Sequence, residues 1–303
     1  MFEVLPAGGL GGRTRAMLKV EDGCVNFCTY CIIPYARGRV RSLPVPTAVE
    51  QTRALAAEGY REIVVTGIEI SSWGQDLKNG ETLIDLLEAV CTAAPAVRIR
   101  LGSLEPRTIT EEFCRRAAAL PNLCPHFHLS MQSGCDAVLA RMNRKYDSAR
   151  YYESVQLLHG YFDRTAITTD LIVGFPGETE QDFEDSMAFV AGQRFLKVHV
   201  FPYSRREGTP AFDFPNQVPE HEKESRSRRM TAAVEKVRAE LAHAAQGRTA
   251  QVLLETPLSS TLFTGYTKQY LPVVVNAPGH KSGEIVTVTL GEWDGKRCRA
   301  QAQ

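Results

Sequence analysis

A chain of 303 residues is long enough for one large α/β domain and a smaller second domain, which excludes a mini-protein. Hydrophobic residues make up 44% and charged residues 23% of the chain, a globular composition that excludes disordered and collagen-like classes. The 35 basic residues balance the 35 acidic ones, which argues against a general nucleic-acid binder but allows local basic surfaces.

The chain shows no feature of a membrane or secreted protein. No apolar run approaches the roughly 18 residues that span a bilayer, and residues 1–12 lack the basic start and apolar block of a signal peptide. We therefore expect a cytoplasmic protein without membrane contact. Three of the eight cysteines lie close together, at Cys24, Cys28 and Cys31, and in a cytosolic chain this crowding indicates a metal site rather than a disulfide.

Strands and helices are predicted to alternate over the first two hundred residues. The predicted strands cover residues 17–21, 61–70, 97–103, 126–131, 166–175 and 195–204. The predicted helices between them cover residues 46–58, 81–94, 109–120, 148–161 and 178–193, with Thr108 or Thr110 as the cap of the third. This alternation predicts an open, partial (β/α)6 barrel of the TIM type, whose chemistry lies at the carboxyl ends of the strands.

The composition changes after a charged amphipathic helix predicted over residues 219–245. We place a domain boundary near Gly247. Short β-branched segments punctuated by glycine follow at residues 249–256, 265–275 and 283–295. They predict a small all-β barrel of about 55 residues.

The strongest local signal is the CxxxCxxC spacing of GCVNFCTYC, directly after the first predicted strand. Three thiolates on a 4Fe-4S cluster leave one iron without a protein ligand, so that iron can bind a substrate. Structural zinc would require four ligands, and the nearest candidates, His126 and His128, lie far along the chain. Zinc or a redox pair therefore stays open as an alternative.

Several motifs carry a resemblance to a known family. The segment KVEDGCVNFCTYCIIPYARGRVRS (19–42) resembles the radical S-adenosylmethionine (SAM) superfamily, and more closely its tRNA methylthiotransferase branch. The similarity continues through TGIEISSWGQD (66–76), RIRLGSLEP (98–106), HFHLSMQSGCDAVLARMNRKY (126–146), TTDLIVGFPGETEQDF (168–183), HVFPYSRREGTPA (199–211) and GYTKQYLPV (265–273). The last segment resembles the TRAM module with which these enzymes hold RNA.

The resemblance implies a radical SAM barrel followed by a TRAM barrel, with one 4Fe-4S cluster on Cys24, Cys28 and Cys31. Cleavage of SAM at such a cluster gives a 5′-deoxyadenosyl radical, and the implied target is C2 of a modified adenine in tRNA. The loop IIPYARGRVRS and the SLEP motif resemble the enzymes that act on N6-threonylcarbamoyladenosine beside the anticodon, rather than those that act on isopentenyladenosine. The implied partners are the tRNA anticodon stem-loop and an electron donor.

Candidate SAM-binding residues follow from their position at predicted strand ends. They are Gly67, Glu69, Ser103, Glu105, Gln132, Arg144 and Asp170. Glycine at position 67 lets the backbone approach the methionine part of SAM, the Glu69 carboxylate can accept from its amine, and the Arg144 guanidinium suits a carboxylate. The structural alternatives are an ion pair for Glu69, helix caps for the residues that follow the third and fourth strands, and a solvated surface position for Arg144.

RNA contact is expected from basic residues near the cluster loop, near the last strand of the barrel and in the tail, where they can neutralise phosphates. The candidates are Arg37, Arg39, Arg41, Arg205 and Lys268. Beyond the cluster, the sequence identifies no catalytic residue.

One part of the family pattern is missing. Family members carry an N-terminal domain whose three cysteines bind a second cluster, and the five scattered cysteines of this chain do not recreate that loop. We therefore interpret residues 1–12 as a linker remnant, 13–245 as the radical SAM core and 246–303 as the TRAM domain. A separate chain that supplies the missing domain is a candidate partner. The alternative function is a truncated protein that cleaves SAM or binds tRNA without completing methylthiolation.

Overall fold

The computed structural model describes residues 2–3 and 14–303, so the interpretation of residues 1–12 as a linker lies almost wholly outside the described residues. Strands and helices alternate between residues 14 and 245. In chain order they are β1 (Ala16–Lys19), β2 (Glu21–Asp22), α1 (Ile33–Arg37), β3 (Arg41–Ser42), α2 (Val45–Ala57), β4 (Glu62–Thr66), α3 (Leu83–Ala93), β5 (Arg98–Leu101), β6 (Ser103–Leu104), α4 (Glu111–Ala118), β7 (His126–Leu129), α5 (Asp136–Arg141), α6 (Ser148–Tyr161), β8 (Ala166–Val173), α7 (Glu180–Gln193), β9 (Lys197–Pro202) and α8 (Glu220–Ala245).

The main strands form an open parallel barrel. One sheet has the order β1-β4-β5 and a second has the order β6-β7-β8-β9, with every pair parallel. Strands β5 and β6 are successive parts of one strand that is interrupted at Gly102, where a Cβ atom would lie 3.1 Å from the Val65 carbonyl oxygen. The predicted six-unit partial barrel is therefore confirmed.

Local sequence signals fix the ends of several helices. Thr110, rather than Thr108, caps α4, because its hydroxyl accepts a hydrogen bond from the Phe113 N–H at 3.1 Å. Capping boxes begin α3, with Thr82 and Asp85, and α7, with Thr179 and Asp182. The short helices α1 and α5 were not predicted, since five and six residues are too few to show a helical period.

The tail forms a closed five-stranded barrel, as predicted. Its strands are β10 (Thr249–Pro257), β11 (Leu262–Thr267), β12 (Pro272–Asn276), β13 (Ile285–Trp293) and β14 (Cys298–Ala302), in the order β10-β11-β12-β14-β13. Within the predicted β segment 265–275 the chain turns back, so that β11 pairs antiparallel with β12. Tyr270 takes a left-handed conformation in this turn, with φ of 67°, and strand β14 was not predicted.

The small barrel packs against the amino ends of the core strands. The Arg100 guanidinium donates to the Lys268 carbonyl oxygen at 3.0 Å, and the Lys268 ammonium donates to the Pro121 carbonyl oxygen at 3.3 Å. The Tyr270 ring stacks on His126, with centroids 4.5 Å apart. The turn between β11 and β12 therefore lies beneath the core barrel, opposite the edge at which the strands end.

Among the described helices, none combines the length and the apolar character needed to cross a membrane.

Candidate functional site

The three clustered cysteines lie on the loop between β2 and α1, which follows the carboxyl end of β1. Gly23 begins this loop with φ of 96°, and a Cβ atom there would lie 2.1 Å from the Arg39 carbonyl oxygen, so only glycine fits. The Cys24 N–H donates to the Gly38 carbonyl oxygen at 3.0 Å. Cys24 and Cys28 are buried and Cys31 is partly exposed, so the loop presents three thiols from a backbone held in place.

The Arg144 side chain packs against the cysteine loop rather than lying at the solvated surface. Its Nη1 donates to Cys28 Sγ at 3.2 Å, and its Nε donates to the Tyr146 hydroxyl at 3.0 Å. The Tyr146 hydroxyl in turn donates to the carbonyl oxygens of Ser130 and Met131. The guanidinium therefore contacts the thiol of Cys28 and the phenol of Tyr146, and its predicted contact with a carboxylate of the ligand stays a prediction.

The thiols have the chemistry of a sulfur-ligated cluster. Burial raises the pKa of Cys24 to about 11 and also raises the pKa of Cys31, so metal binding here would displace protons from neutral thiols. Within residues 14–303, no three His, Cys, Asp or Glu side chains come together as ligands of a single metal ion. His126 and His128, the zinc ligands that the alternative requires, lie on β7, and each has a ring nitrogen 3.0 Å from the Thr168 hydroxyl. In a 4Fe-4S cluster each cysteine thiolate binds a different iron, so the three sulfur atoms need not converge on one metal ion. The three thiols of this loop therefore suit such a cluster.

Gly67 and Glu69 follow β4, which ends at Thr66 rather than at residue 70. A Cβ atom at Gly67 would lie 2.8 Å from the Glu21 carbonyl oxygen and 2.8 Å from its carboxylate, so the glycine allows Glu21 to approach. Glu21 Oε2 accepts from the Glu69 N–H at 2.7 Å. Gly67 therefore makes room for a second carboxylate beside Glu69.

Three carboxylates gather at this edge. Glu69 accepts from the Ser71 N–H, from the Ser72 hydroxyl and, at 3.4 Å, from Asn26 Nδ2, and no cation of the described chain forms an ion pair with it. Burial raises the pKa of Glu69, and Glu105 raises it further. Glu105 is buried and forms a bidentate ion pair with Arg107, with N···O distances of 2.7 and 2.9 Å. Among the described residues, Glu69 and Glu21 are therefore the two carboxylates at this edge without a cation partner.

One cavity runs inside the barrel from the seam with the small barrel towards the carboxyl edge, and a second lies at that edge. The larger, which we call the lumen, has a volume of about 730 Å³ and is lined by residues that include Ser103, His128 and Asp170. The smaller, which we call the mouth cavity, has a volume of about 320 Å³ and includes Cys31, Gln132 and Asp170. Asp170 therefore lies in the wall between the two cavities, within β8 rather than at its end.

Ser103 and Gln132 are not helix caps. Ser103 lies in β6, paired with His128, and its side chain is exposed at the lumen. Gln132 has φ of 69° and its backbone bridges to β8, because its N–H donates to the Asp170 carbonyl oxygen and its own oxygen accepts from the Ile172 N–H. Both candidates therefore reach the cavities through strand geometry.

The arginines near the cysteine loop differ in their exposure and in whether they form ion pairs. Arg37 binds Asp22 through two hydrogen bonds of 2.9 and 2.6 Å, and Arg41 lies 3.4 Å from the same carboxylate. Arg39 is exposed and forms no ion pair within residues 14–303. Arg205 is exposed, stacks on the Phe212 ring at 4.1 Å and donates to its carbonyl oxygen. Arg39 is thus the freest candidate for a phosphate contact on this loop.

Lys268 lies beneath the core barrel, at the end opposite the cysteine loop, with its ammonium on Pro121. An RNA contact at Lys268 would therefore be separate from the barrel mouth, and it stays a prediction.

Sequence reasoning missed Glu21, Tyr146 and Thr168. Glu21 is fully buried although it is charged, and burial raises its pKa to about 8, with Glu69 as a further cause. The signal was an acidic residue between a buried strand and a cysteine loop, but the contact that matters, with Glu69, joins residues 48 positions apart. The partners of Thr168, His126 and His128, are similarly remote, whereas Tyr146 binds the carbonyl oxygens of Ser130 and Met131, 16 and 15 positions away.

Comparisons with known proteins agree with this geometry. The model of the radical SAM superfamily matches residues 18–190. The threonylcarbamoyladenosine tRNA methylthiotransferase MtaB of Bacillus subtilis (strain 168) is 37% identical over 295 residues, which cover 96% of this chain and 65% of that protein. The MtaB of Thermotoga maritima is 37% identical over 297 residues, which cover 97% of this chain and 68% of that protein.

A second kind of relative matches as well. The tRNA-2-methylthio-N6-dimethylallyladenosine synthase of Clostridium botulinum (strain Loch Maree / Type A3) is 39% identical over 241 residues, covering 80% of this chain and 54% of that protein. The chain therefore spans between about half and two thirds of the length of these relatives.

Solved structures share the fold at low sequence identity. A radical SAM methyltransferase, TsrM from Kitasatospora setae, has a TM-score of 0.55 at 17% identity, over 65% of this chain and 38% of that one. Coproporphyrinogen III oxidase (HemN) from Escherichia coli has a TM-score of 0.54 at 15% identity, over 75% of this chain and 53% of that one. With the parallel barrel, the cysteine loop and the matched relatives together, this chain belongs to the radical SAM superfamily and, within it, to the tRNA methylthiotransferase family.

Proposed function

We propose that this chain is a radical SAM tRNA methylthiotransferase that adds a methylthio group to C2 of N6-threonylcarbamoyladenosine next to the anticodon. The observation that carries the proposal is the three-cysteine loop at the carboxyl edge of an open parallel barrel, beside carboxylates and two cavities. Relatives named for this reaction match nearly the whole chain at 37% identity.

The residues of the loop would hold one cluster. Cys24, Cys28 and Cys31 supply the three thiolates, and a bound 4Fe-4S cluster supplies one-electron reductive cleavage of SAM. The Arg144 guanidinium holds Cys28 and places a positive charge beside a thiolate. Structures of TsrM from Kitasatospora setae contain a bound 4Fe-4S cluster in one case and a bound SAM analogue in another, which supports both cofactors here.

The Glu69 carboxylate, which has no ion-pair partner in the described chain, is suited to the ammonium group of SAM. The Gly67 backbone is the proposed contact of the methionine part, and the missing side chain there makes room for Glu21. Glu105, Gln132 and Asp170 offer acceptors at the same edge, and the exposed Ser103 hydroxyl faces the lumen. The lumen would take the modified base, where it is shielded from water.

The RNA would approach across the rim of the barrel. Arg39 and Arg205 are exposed there, while Arg37 and Arg41 share the Asp22 carboxylate and are partly neutralised. Phosphates bound by arginines would hold the anticodon stem-loop over the mouth cavity. An electron donor is also required, as the resemblance implied, and the proposed compartment is the cytoplasm.

A second candidate function is SAM cleavage and tRNA binding without complete methylthiolation. It is favoured by the five remaining cysteines, which are buried at Cys91, Cys114, Cys124, Cys135 and Cys298 and form no second ligand loop within residues 14–303. Under this alternative a separate chain would supply the auxiliary cluster and the sulfur.

The test is an analysis of tRNA nucleosides by mass spectrometry after incubation with anaerobically reconstituted protein, SAM and a reductant. Two tRNAs are compared, one carrying N6-threonylcarbamoyladenosine and one carrying N6-dimethylallyladenosine. We expect the 2-methylthio product only with the first. Product only with the second contradicts the substrate assignment, and 5′-deoxyadenosine without either product supports the second candidate.

A further inference from the structure

Three side chains, His126, Thr168 and His128, form a hydrogen-bonded row inside the lumen, and Asp170 lies at its end. His126 Nε2 and His128 Nδ1 each lie 3.0 Å from Thr168 Oγ1, and His128 Nε2 lies 3.3 Å from Asp170 Oδ2. His126 and His128 alternate on β7, and Thr168 and Asp170 alternate on β8, so all four side chains point to one face of the sheet. The row runs from the seam with the small barrel to the wall of the mouth cavity.

The chemistry of the row fixes where each proton lies. The Asp170 carboxylate oxygen that lies 3.3 Å from His128 Nε2 favours a proton on that nitrogen. In a neutral His128, Nδ1 is then an acceptor, and the Thr168 hydroxyl must donate to it. Because the hydroxyl has one proton, its oxygen can only accept from His126, whose Nε2 therefore carries the proton.

The inner end of the row agrees with this assignment. His126 Nδ1 is buried and has no hydrogen-bond partner in the described part of the chain. A buried lone pair is tolerated better than a buried unpaired N–H, which is rare in proteins. Burial lowers the pKa of His126 well below its ordinary value, and the charges of Arg100 and Arg15 lower it further, so the ring is neutral.

We propose that Thr168 is a positioning residue that, held by His126, fixes the Nε2–H form of His128 and thereby holds Asp170 as an acceptor for a ligand hydroxyl or ammonium group. Asp170 lines both the lumen and the mouth cavity, so a ligand in either place can reach its second carboxylate oxygen. This inference rests on the proposed function only where it assigns Asp170 to SAM binding.

The direct test is histidine nitrogen NMR of the ¹⁵N-labelled chain without added ligand. His126→Gln and His128→Gln assign the two rings among the seven histidines of the sequence. We expect both rings in the Nε2–H form in the natural chain and in Thr168→Ser, which keeps the hydroxyl. In Thr168→Val, of nearly the same shape, we expect His128 to lose its single form.

An Nδ1–H form of either ring in the natural chain overturns the proposal, and so does an unchanged His128 spectrum in Thr168→Val. If Thr168→Val does not fold, the spectrum of the natural chain still decides, because it needs no variant at position 168. This result does not depend on SAM binding.

The second test measures the affinity of the reconstituted protein for SAM. We expect Thr168→Val to weaken binding about five-fold, which matches the loss of one hydrogen bond, and Thr168→Ser to stay within about two-fold. Asp170→Asn should weaken binding at least as much as Thr168→Val. Equal affinity in Thr168→Val and the natural chain contradicts the positioning role, whereas no SAM binding by the natural chain contradicts the proposed function and leaves the NMR result standing.

Discussion

Glu21 and Glu62 are both fully buried glutamates near the inside of the same barrel, but they lie at its opposite ends. At the amino end, burial raises the pKa of Glu62, yet Arg100 at 2.7 Å and Arg15 at 2.9 Å outweigh it and lower the net value. At the carboxyl end, burial raises the pKa of Glu21 to about 8, and the neighbouring Glu69 adds to the rise. The chain thus matches its own charges at the seam and leaves carboxylates unmatched at the mouth, where a cationic ligand is expected.

The largest effect should come from removing the matched carboxylate. Glu62→Gln leaves the buried Arg100 without its charge partner, and we expect a loss of about 3–5 kcal/mol in the free energy of unfolding. Chemical denaturation measures it. The matched control is Glu88→Gln, which removes a half-exposed partner of Arg116 and should cost less than about 1 kcal/mol. Equal losses of unfolding free energy in the two variants would contradict the view that Glu62 neutralises the buried Arg100.

The unmatched carboxylate should behave in the opposite way. The folded protein holds a proton on Glu21 that the unfolded chain releases near its ordinary pKa of 4.5, so stability falls as the pH rises from about 4.5 to about 8. Glu21→Gln cannot ionise and should be more stable than the natural chain by about 2 kcal/mol at pH 8, with little difference at pH 4.

Unfolding curves of both proteins at the two pH values check this prediction. A Glu21→Gln variant that is less stable at pH 8 would show that the carboxylate is compensated after all.

The mouth can also be tested through its ligand. Glu69→Gln removes the negative charge but keeps hydrogen-bonding atoms near Ser71 and Ser72, and we expect about ten-fold weaker binding of SAM to the reconstituted protein. Equilibrium binding measures it. Glu81→Gln, at a partly exposed site before α3, is the control and should leave the affinity unchanged. Unchanged affinity in Glu69→Gln contradicts its assignment to the ammonium group.

The smallest effect concerns the aromatic stack at the seam. Tyr270 stacks on His126 and on Tyr266, each with centroids 4.5 Å apart. Tyr270→Leu keeps apolar bulk but loses both stacks, and we expect a cost of about 1 kcal/mol. Tyr152→Leu on the exposed face of α6 should cost less than half of that. Thermal unfolding of the two variants compares them, and equal shifts would contradict a role for the stack.

The sequence predicted the elements that depend on local pattern. Alternating strands and helices, the cap at Thr110 and the glycine-punctuated tail all follow from neighbouring residues, and the structure confirms the six-unit barrel and the small closed barrel. The cysteine loop was found in the same way, because its ligands lie within eight residues.

The rest depends on contacts between distant residues. The hairpin at residues 262–276 was not located within the predicted β segment 265–275, since nothing in the local pattern shows that Tyr270 turns left-handed beneath the core. The contact of Arg144 with Cys28, 116 positions away, was likewise not predicted. Lys268 was grouped with the RNA-binding residues by charge alone, and only the folded chain places it on Pro121.

Anaerobic reconstitution tests the central claim most directly, with iron and sulfide counted per chain and 5′-deoxyadenosine measured after SAM and dithionite are added. The account predicts about four irons and four sulfides per chain, cleavage of SAM, and loss of both when Cys24, Cys28 and Cys31 are changed to Ala. About seven or eight irons would contradict the single cluster. Zinc bound in place of iron, with no cleavage of SAM, would contradict the radical SAM assignment of this site.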